Sequence, residues 1–178
     1  LIVVTTNVLG DVVSNMVGES FDVEVIMPPG SDPHDFQDSA KQVAKMMEAD
    51  LLIVSGANFE EGMLDVIEAA ESDGVMVFEA MSVVTQLEGS DDHDEEGHDD
   101  HEGHDHHDHG GIDPHFFTDP ARMLQVAEEL NEFLITNFPN ADQSFVSVAS
   151  DYIKQLQDLD DEVEETLSAI PTNERVLV

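Results

Sequence analysis

The chain has 178 residues, 40% of them hydrophobic: one domain of ordinary size with enough apolar side chain for a core, or one domain and a piece of another. Five basic residues stand against 41 acidic ones, a formal charge of −36, so cations suit this surface and neither nucleic acid nor an anionic membrane does. No cysteine is present, which excludes disulfides, thiolate metal sites and cysteine catalysis.

Residues 88–111 hold eleven of the acids, and the rest of the chain still carries 30 acids against five bases. That balance fits a carboxylate surface adapted to high salt, or a plain acidic protein. No segment is long and apolar enough to cross a membrane as a helix. Leu1-Ile2-Val3-Val4 begins with no basic flank, which reads as a mature or trimmed start without a signal peptide.

In chain order, Leu1–Thr5 reads as a strand and Val12–Val17 as an amphipathic helix. Phe21, Val23, Val25 and Met27 alternate with polar residues as a second strand, stopped by Pro28-Pro29-Gly30. Ser39–Glu48 has helical spacing. Leu51–Val54 is a short apolar strand of the kind buried on both sides of a parallel sheet. Glu61–Glu71 is helical and Val75–Phe78 is a fourth strand. This alternation predicts an α/β fold, a parallel four-stranded sheet with flanking helices.

Residues 88–111 contain no apolar side chain and are expected to be a disordered loop. After it, Asp119-Pro120 signals a helix start, with Met123, Val126, Ala127, Leu130, Phe133 and Leu134 on one face. Pro139-Asn140 breaks that helix. A longer one follows over 141–169, with Phe145, Ala149, Tyr152, Leu156, Leu159, Val163, Leu167 and Ile170 at spacings of three and four. At ~1.5 Å per residue it would be a rod of about 43 Å, longer than one small lobe needs. Glu174–Val178 reads as the opening of another strand.

Seven of nine histidines lie in the acidic loop: His93, His98, His101, His104, His106, His107 and His109. Imidazole binds zinc, copper and nickel well, and carboxylates add hard oxygen donors, so this tract is expected to capture transition metals. It is interrupted and internal, unlike a purification tag. It spells an incomplete calcium loop, with Gly103 at the twelfth position. The other two histidines fall in a repeated tripeptide, Asp32-Pro33-His34 and Asp113-Pro114-His115. His34 follows the second strand, at the carboxyl edge of a parallel sheet, where such folds place ligands. The proline stiffens each loop, and the neighbouring carboxylate can orient the imidazole. Glu60-Glu61 and Asp65 read as a solvated helix start. There is no phosphate loop, nucleophile elbow or His-Glu-x-x-His helix, so no enzyme is expected, and a metal-dependent hydrolase would lack a base.

The assembled order is specific: Gly30-Ser31-Asp32-Pro33-His34-Asp35-Phe36 after a strand, Ala49–Val54, Ser55-Gly56-Ala57-Asn58-Phe59-Glu60, an acidic histidine-rich loop, Asp113–Pro120, and a long helix. Over nearly its whole length the chain resembles the zinc/manganese solute-binding proteins of ABC importers. The resemblance implies an N-terminal metal-binding lobe over 1–137, a long interlobe connecting helix within 138–171, and the start of a second lobe, largely missing, at 172–178. It implies that His34 and His115 are two ligands of an interlobe site, the others lying beyond Val178. The loop histidines would then be an accessory site. Glu60, in the loop after the third strand, is a further candidate to approach the metal. The imidazole-rich loop favours Zn2+ over Mn2+. Because imidazole binds metal when neutral, affinity should fall below about pH 6.5. The partners implied are a divalent ion and a membrane ABC permease, with a monomer acting in the periplasm or on the outer face of the membrane. The competing reading is a soluble zinc or nickel buffer or metallochaperone working through the loop alone.

Overall fold

A computed structural model describes residues 1–85 and 112–175. The expected disorder of 88–111 and the strand ending at 178 lie partly or wholly outside them. Four short strands, β1 (Ile2–Val4), β2 (Val23–Val25), β3 (Leu51–Val54) and β4 (Met76–Glu79), form one parallel sheet in the order β2-β1-β3-β4. Between them run α1 (Asn7–Val17), α2 (Ala40–Met47) and α3 (Leu64–Ser72); α4 (Pro120–Asn137) and α5 (Phe145–Ser168) follow.

The period of two along the strands sorts the core into two layers. Ile2, Val4, Leu51 and Ile53 pack on one face with α1, α4 and α5, through Val13, Met16, Leu130 and Phe145. Val3, Leu52 and Val54 pack on the other with Met46 of α2 and Ala70 of α3. With both faces covered, β3 is buried at all four positions, as its uninterrupted Leu-Leu-Ile-Val requires.

Local chemistry sets most boundaries. Ser39 caps α2 in a reciprocal box: its hydroxyl accepts the Gln42 backbone N–H, and the Gln42 side chain accepts the Ser39 N–H. Asp119 caps α4 by accepting the Ala121 N–H at 3.0 Å, with Pro120 in the first turn.

Two expectations need correction. The first helix starts at Asn7, not Val12. Gly10 hides this signal, and it is needed because a Cβ there would run into the Val25 side chain. The last helix is 24 residues, about 36 Å at ~1.5 Å per residue, rather than 29. Asp142 accepts the Ser144 N–H at 3.0 Å, and that turn delays the helix until Phe145. Thr172–Glu174 form a 3-10 turn, and the strand expected over Glu174–Val178 lies mostly outside the described residues. The core, moreover, does not stop at 137: Phe145, Ala149 and Leu156 of α5 belong to the same layer as α1 and α4. Beyond them Leu159, Leu167 and Ile170 are exposed.

Candidate metal centre

In the order β2-β1-β3-β4 the chain leaves β1 toward one side for β2 and then crosses to the other for β3. Loops diverge at that switch point and leave a crevice at the carboxyl edge. A cavity of about 360 Å³ lies there, lined by Thr6 to Leu9 after β1, Ser31 to His34 after β2, Phe59 after β3, and His115 and Phe117 before α4. His34 and His115, 81 positions apart in the chain, have their ring centres 6.3 Å apart. Phe59 packs edge-on against both, at 5.2 Å from His34 and 5.6 Å from His115, and Phe117 packs against His115 at 5.9 Å.

The two Asp-Pro-His tripeptides fold alike. Asp32 accepts the His34 backbone N–H and Asp113 accepts the His115 backbone N–H, each at 3.0 Å. These are Asx turns, in which a short carboxylate satisfies the N–H two residues on while proline fixes the intervening φ. They differ at the ring. Asp113 Oδ1 also lies 2.7 Å from His115 Nδ1. An ionised carboxylate only accepts, so Nδ1 carries the proton and Nε2 is left with its lone pair. The Asp113 carboxyl is held below its ordinary value of 3.8, chiefly by the His115 backbone N–H and then by the ring, against a partial burial that raises it. His34 Nδ1 instead faces the Glu61 carboxylate at 3.6 Å.

Two imidazoles on one tetrahedral zinc, with Zn–N bonds of ~2.0–2.1 Å, hold their ring centres about 5 Å apart. The observed 6.3 Å is roughly an ångström wider, a gap that small side-chain rotations close. Among the described residues no three His, Asp or Glu side chains are grouped to hold a metal ion. Among the described residues the two imidazoles therefore stand as a pair of candidate ligands without a third.

The other expected site residues divide into two groups. His93, His98, His101, His104, His106, His107 and His109 lie outside the described residues. Glu60 is in the loop after β3, as expected, but is not the solvated residue its neighbours suggested: it is 1% exposed. Its Oε1 accepts the Thr5 hydroxyl and the Ser55 N–H, each at 2.6 Å, and its Oε2 accepts the Gly56 N–H at 3.2 Å. It does not line the cavity that holds the histidines. Sequence reasoning missed Phe59 and Glu61. Phe59 carried a readable signal, a large apolar side chain isolated in an otherwise polar turn.

Comparison with known proteins gives the family and the fold. The chain is 31% identical over 159 residues to the zinc-binding lipoprotein AdcA of Streptococcus pneumoniae, covering 86% of this chain and 30% of that protein. It is 25% identical over 177 residues to the manganese-binding lipoprotein MntA of Halalkalibacterium halodurans, covering 99% and 53%. The chain thus spans about a third to a half of the length of these curated relatives. The crystal structure of Zn(II)-bound AdcA from Streptococcus pneumoniae superposes with a TM-score of 0.74 at 27% identity, covering 94% of this chain and 32% of that one. The periplasmic zinc-binding protein TroA of Treponema pallidum shares the fold, with a TM-score of 0.78 at 22% identity over 99% of this chain and 58% of its own. The family described as zinc-uptake complex component A, periplasmic, matches residues 2–178, and the chain belongs to that family.

Proposed function

We propose that this chain is the metal-gripping first lobe of an extracytoplasmic solute-binding protein, one that captures a divalent transition metal for an ABC-type importer. Zinc is the favoured cargo over manganese. The observation that carries the reading is the meeting of two preorganised imidazoles, His34 and His115, at the switch point of a parallel sheet. Imidazole nitrogen suits zinc better than it suits manganese, which prefers oxygen donors. The role is non-catalytic: the lobe supplies two ligands, and the remaining positions of a tetrahedral ion come from elsewhere in the whole protein. The histidine-rich stretch 88–111 serves as an accessory that concentrates the ion. α5 carries the connection onward, its first half fixed to the lobe by Phe145, Ala149 and Leu156.

A zinc competition titration against a chelating dye tests this in the full-length parent protein. The His34→Ala/His115→Ala double variant should lose the tight site, and deletion of 88–111 should keep it. If the deletion loses the tight site and the double variant keeps it, the protein is a metal buffer working through its loop.

A further inference from the structure

Glu60 is the most deeply buried carboxylate among the described residues, and the two-histidine grip leaves it without a role. Among the described ion pairs none involves it. Its charge is met by three donors instead, the Thr5 hydroxyl and the Ser55 and Gly56 N–H groups. These donors belong to two different loops. Thr5 directly follows β1, and its own carbonyl accepts the Met27 N–H at 2.9 Å, where the chain leaves β2 toward His34. Ser55 and Gly56 open the loop after β3. There Gly56, Ala57 and Asn58 all have positive φ, at 87°, 50° and 58°. Such a left-handed run turns successive N–H groups inward, where they need an acceptor. Glu60 accepts at the entry to this run, from Ser55 and Gly56, while Glu79 accepts the Ala57 N–H at 3.3 Å, and the residue before Glu60, Phe59, is the ring wedged against both imidazoles.

We propose that Glu60 is a positioning residue of the metal site: its carboxylate clasps the ends of β1 and β3, fixes Phe59, and so sets the gap between His34 and His115. The inference rests on the metal-binding reading above. It assigns Glu60 no bond to the ion. Both its oxygens are turned to the loop bases, and removing the clasp acts on the metal only through Phe59 and the two imidazoles.

The test uses the full-length protein with Zn2+ and Co2+ as probes. Three quantities are read for each variant: the apo melting temperature, zinc affinity by dye competition, and the visible absorption of bound cobalt, which reports coordination geometry. Glu60→Gln keeps the shape but presents an amide N–H₂ to donors. Thr5→Val removes one clasp donor and touches no conceivable ligand. Both variants should weaken zinc by about tenfold or more, as loss of groups that orient ligands does, and both should shift the cobalt spectrum in the same direction. Three results overturn the proposal. In the first, Thr5→Val binds zinc and cobalt like the parent while Glu60→Gln does not, which makes Glu60 a ligand. In the second, both variants melt earlier yet keep parental affinity and spectrum, which makes the clasp purely structural. In the third, neither variant changes anything. Should Glu60→Gln fail to fold, Thr5→Val decides alone. The His34→Ala/His115→Ala variant is run alongside: if it retains the tight site, the metal-binding reading fails separately from the clasp.

Discussion

Replacing Asp113 isolates the contribution of orientation to this site. One oxygen of Asp113 accepts both the His115 backbone N–H at 3.0 Å and the ring Nδ1–H at 2.7 Å. Asp113→Ala removes both. The loop then loses its Asx turn, the ring loses its tautomer preference, and Nε2 bears the lone pair only part of the time. Loss of such a partner typically lowers metal affinity by about 10–100-fold, or roughly 1.4–2.7 kcal/mol. Asp113→Asn keeps an acceptor oxygen for the N–H groups and gives up only the charge, so its cost should be a few-fold. Aspartate, asparagine and alanine should therefore rank in that order in a zinc competition titration of the full-length protein. The Asp113 side chain is 42% exposed, so water can replace part of the lost contact and the lower end of the range is expected. The melting temperature of the metal-free protein should scarcely change. Parental zinc affinity in Asp113→Ala would refute the orienting role, and equal losses in Asn and Ala would place the effect in the charge rather than in the hydrogen bonds.

Three further outcomes follow from the same geometry. Leu130 of α4 is fully buried in the layer formed with α1, α5 and one face of the sheet, so Leu130→Ala should cost about 2–5 kcal/mol in urea unfolding, with the denaturant slope unchanged. A Cβ on Gly62 would run into the Phe36 carbonyl oxygen, two residues past His34. Gly62→Ala should therefore destabilise by about 1–3 kcal/mol and also weaken zinc, because relief requires the His34 loop to move away from the Phe59 loop. The folded-state value of Asp113 is depressed below 3.8, so the tie it makes is fully present above that pH and is lost as pH falls through the lower folded value. The carboxyl carbon of Asp113, followed by NMR, should show its own titration below pH 3.8; a midpoint above 3.8 would contradict the hydrogen bonding seen here.

What the sequence conveyed, and what it did not, divides by the reach of the contacts involved. The capping box of Ser39 with Gln42, the Asp119-Pro120 helix start and both Asp-Pro-His turns are closed by residues within three positions of each other, so their chemistry is written consecutively. β3 could be read because four apolar residues in a row suit only a strand covered on both faces. The failures lie where a distant partner decides. Gly10 weakens the signal of α1, and only Val25, fifteen residues on, explains why a glycine stands there. Glu60 beside Glu61 looks like one hydrated acidic pair. In the fold the two part company: Glu60 turns inward to Thr5, 55 positions earlier, and Glu61 turns outward to His34.

The same division accounts for the site itself. Each Asp-Pro-His turn is locally complete, so two rigid histidines could be recognised one at a time. Their meeting at 6.3 Å is not local: it depends on the crossover between β2 and β3, which brings the loops after β2 and β3 to one edge with the segment before α4. The 81 positions between the histidines would be a large entropic obstacle for a flexible chain to close around an ion. The sheet meets most of that cost at folding, and Phe59 fills the space in which the rings would otherwise rotate. Under the proposed metal-binding role, such a pair would need only small ring movements to accept an ion, and Asp113 would act on affinity by orienting the His115 ring.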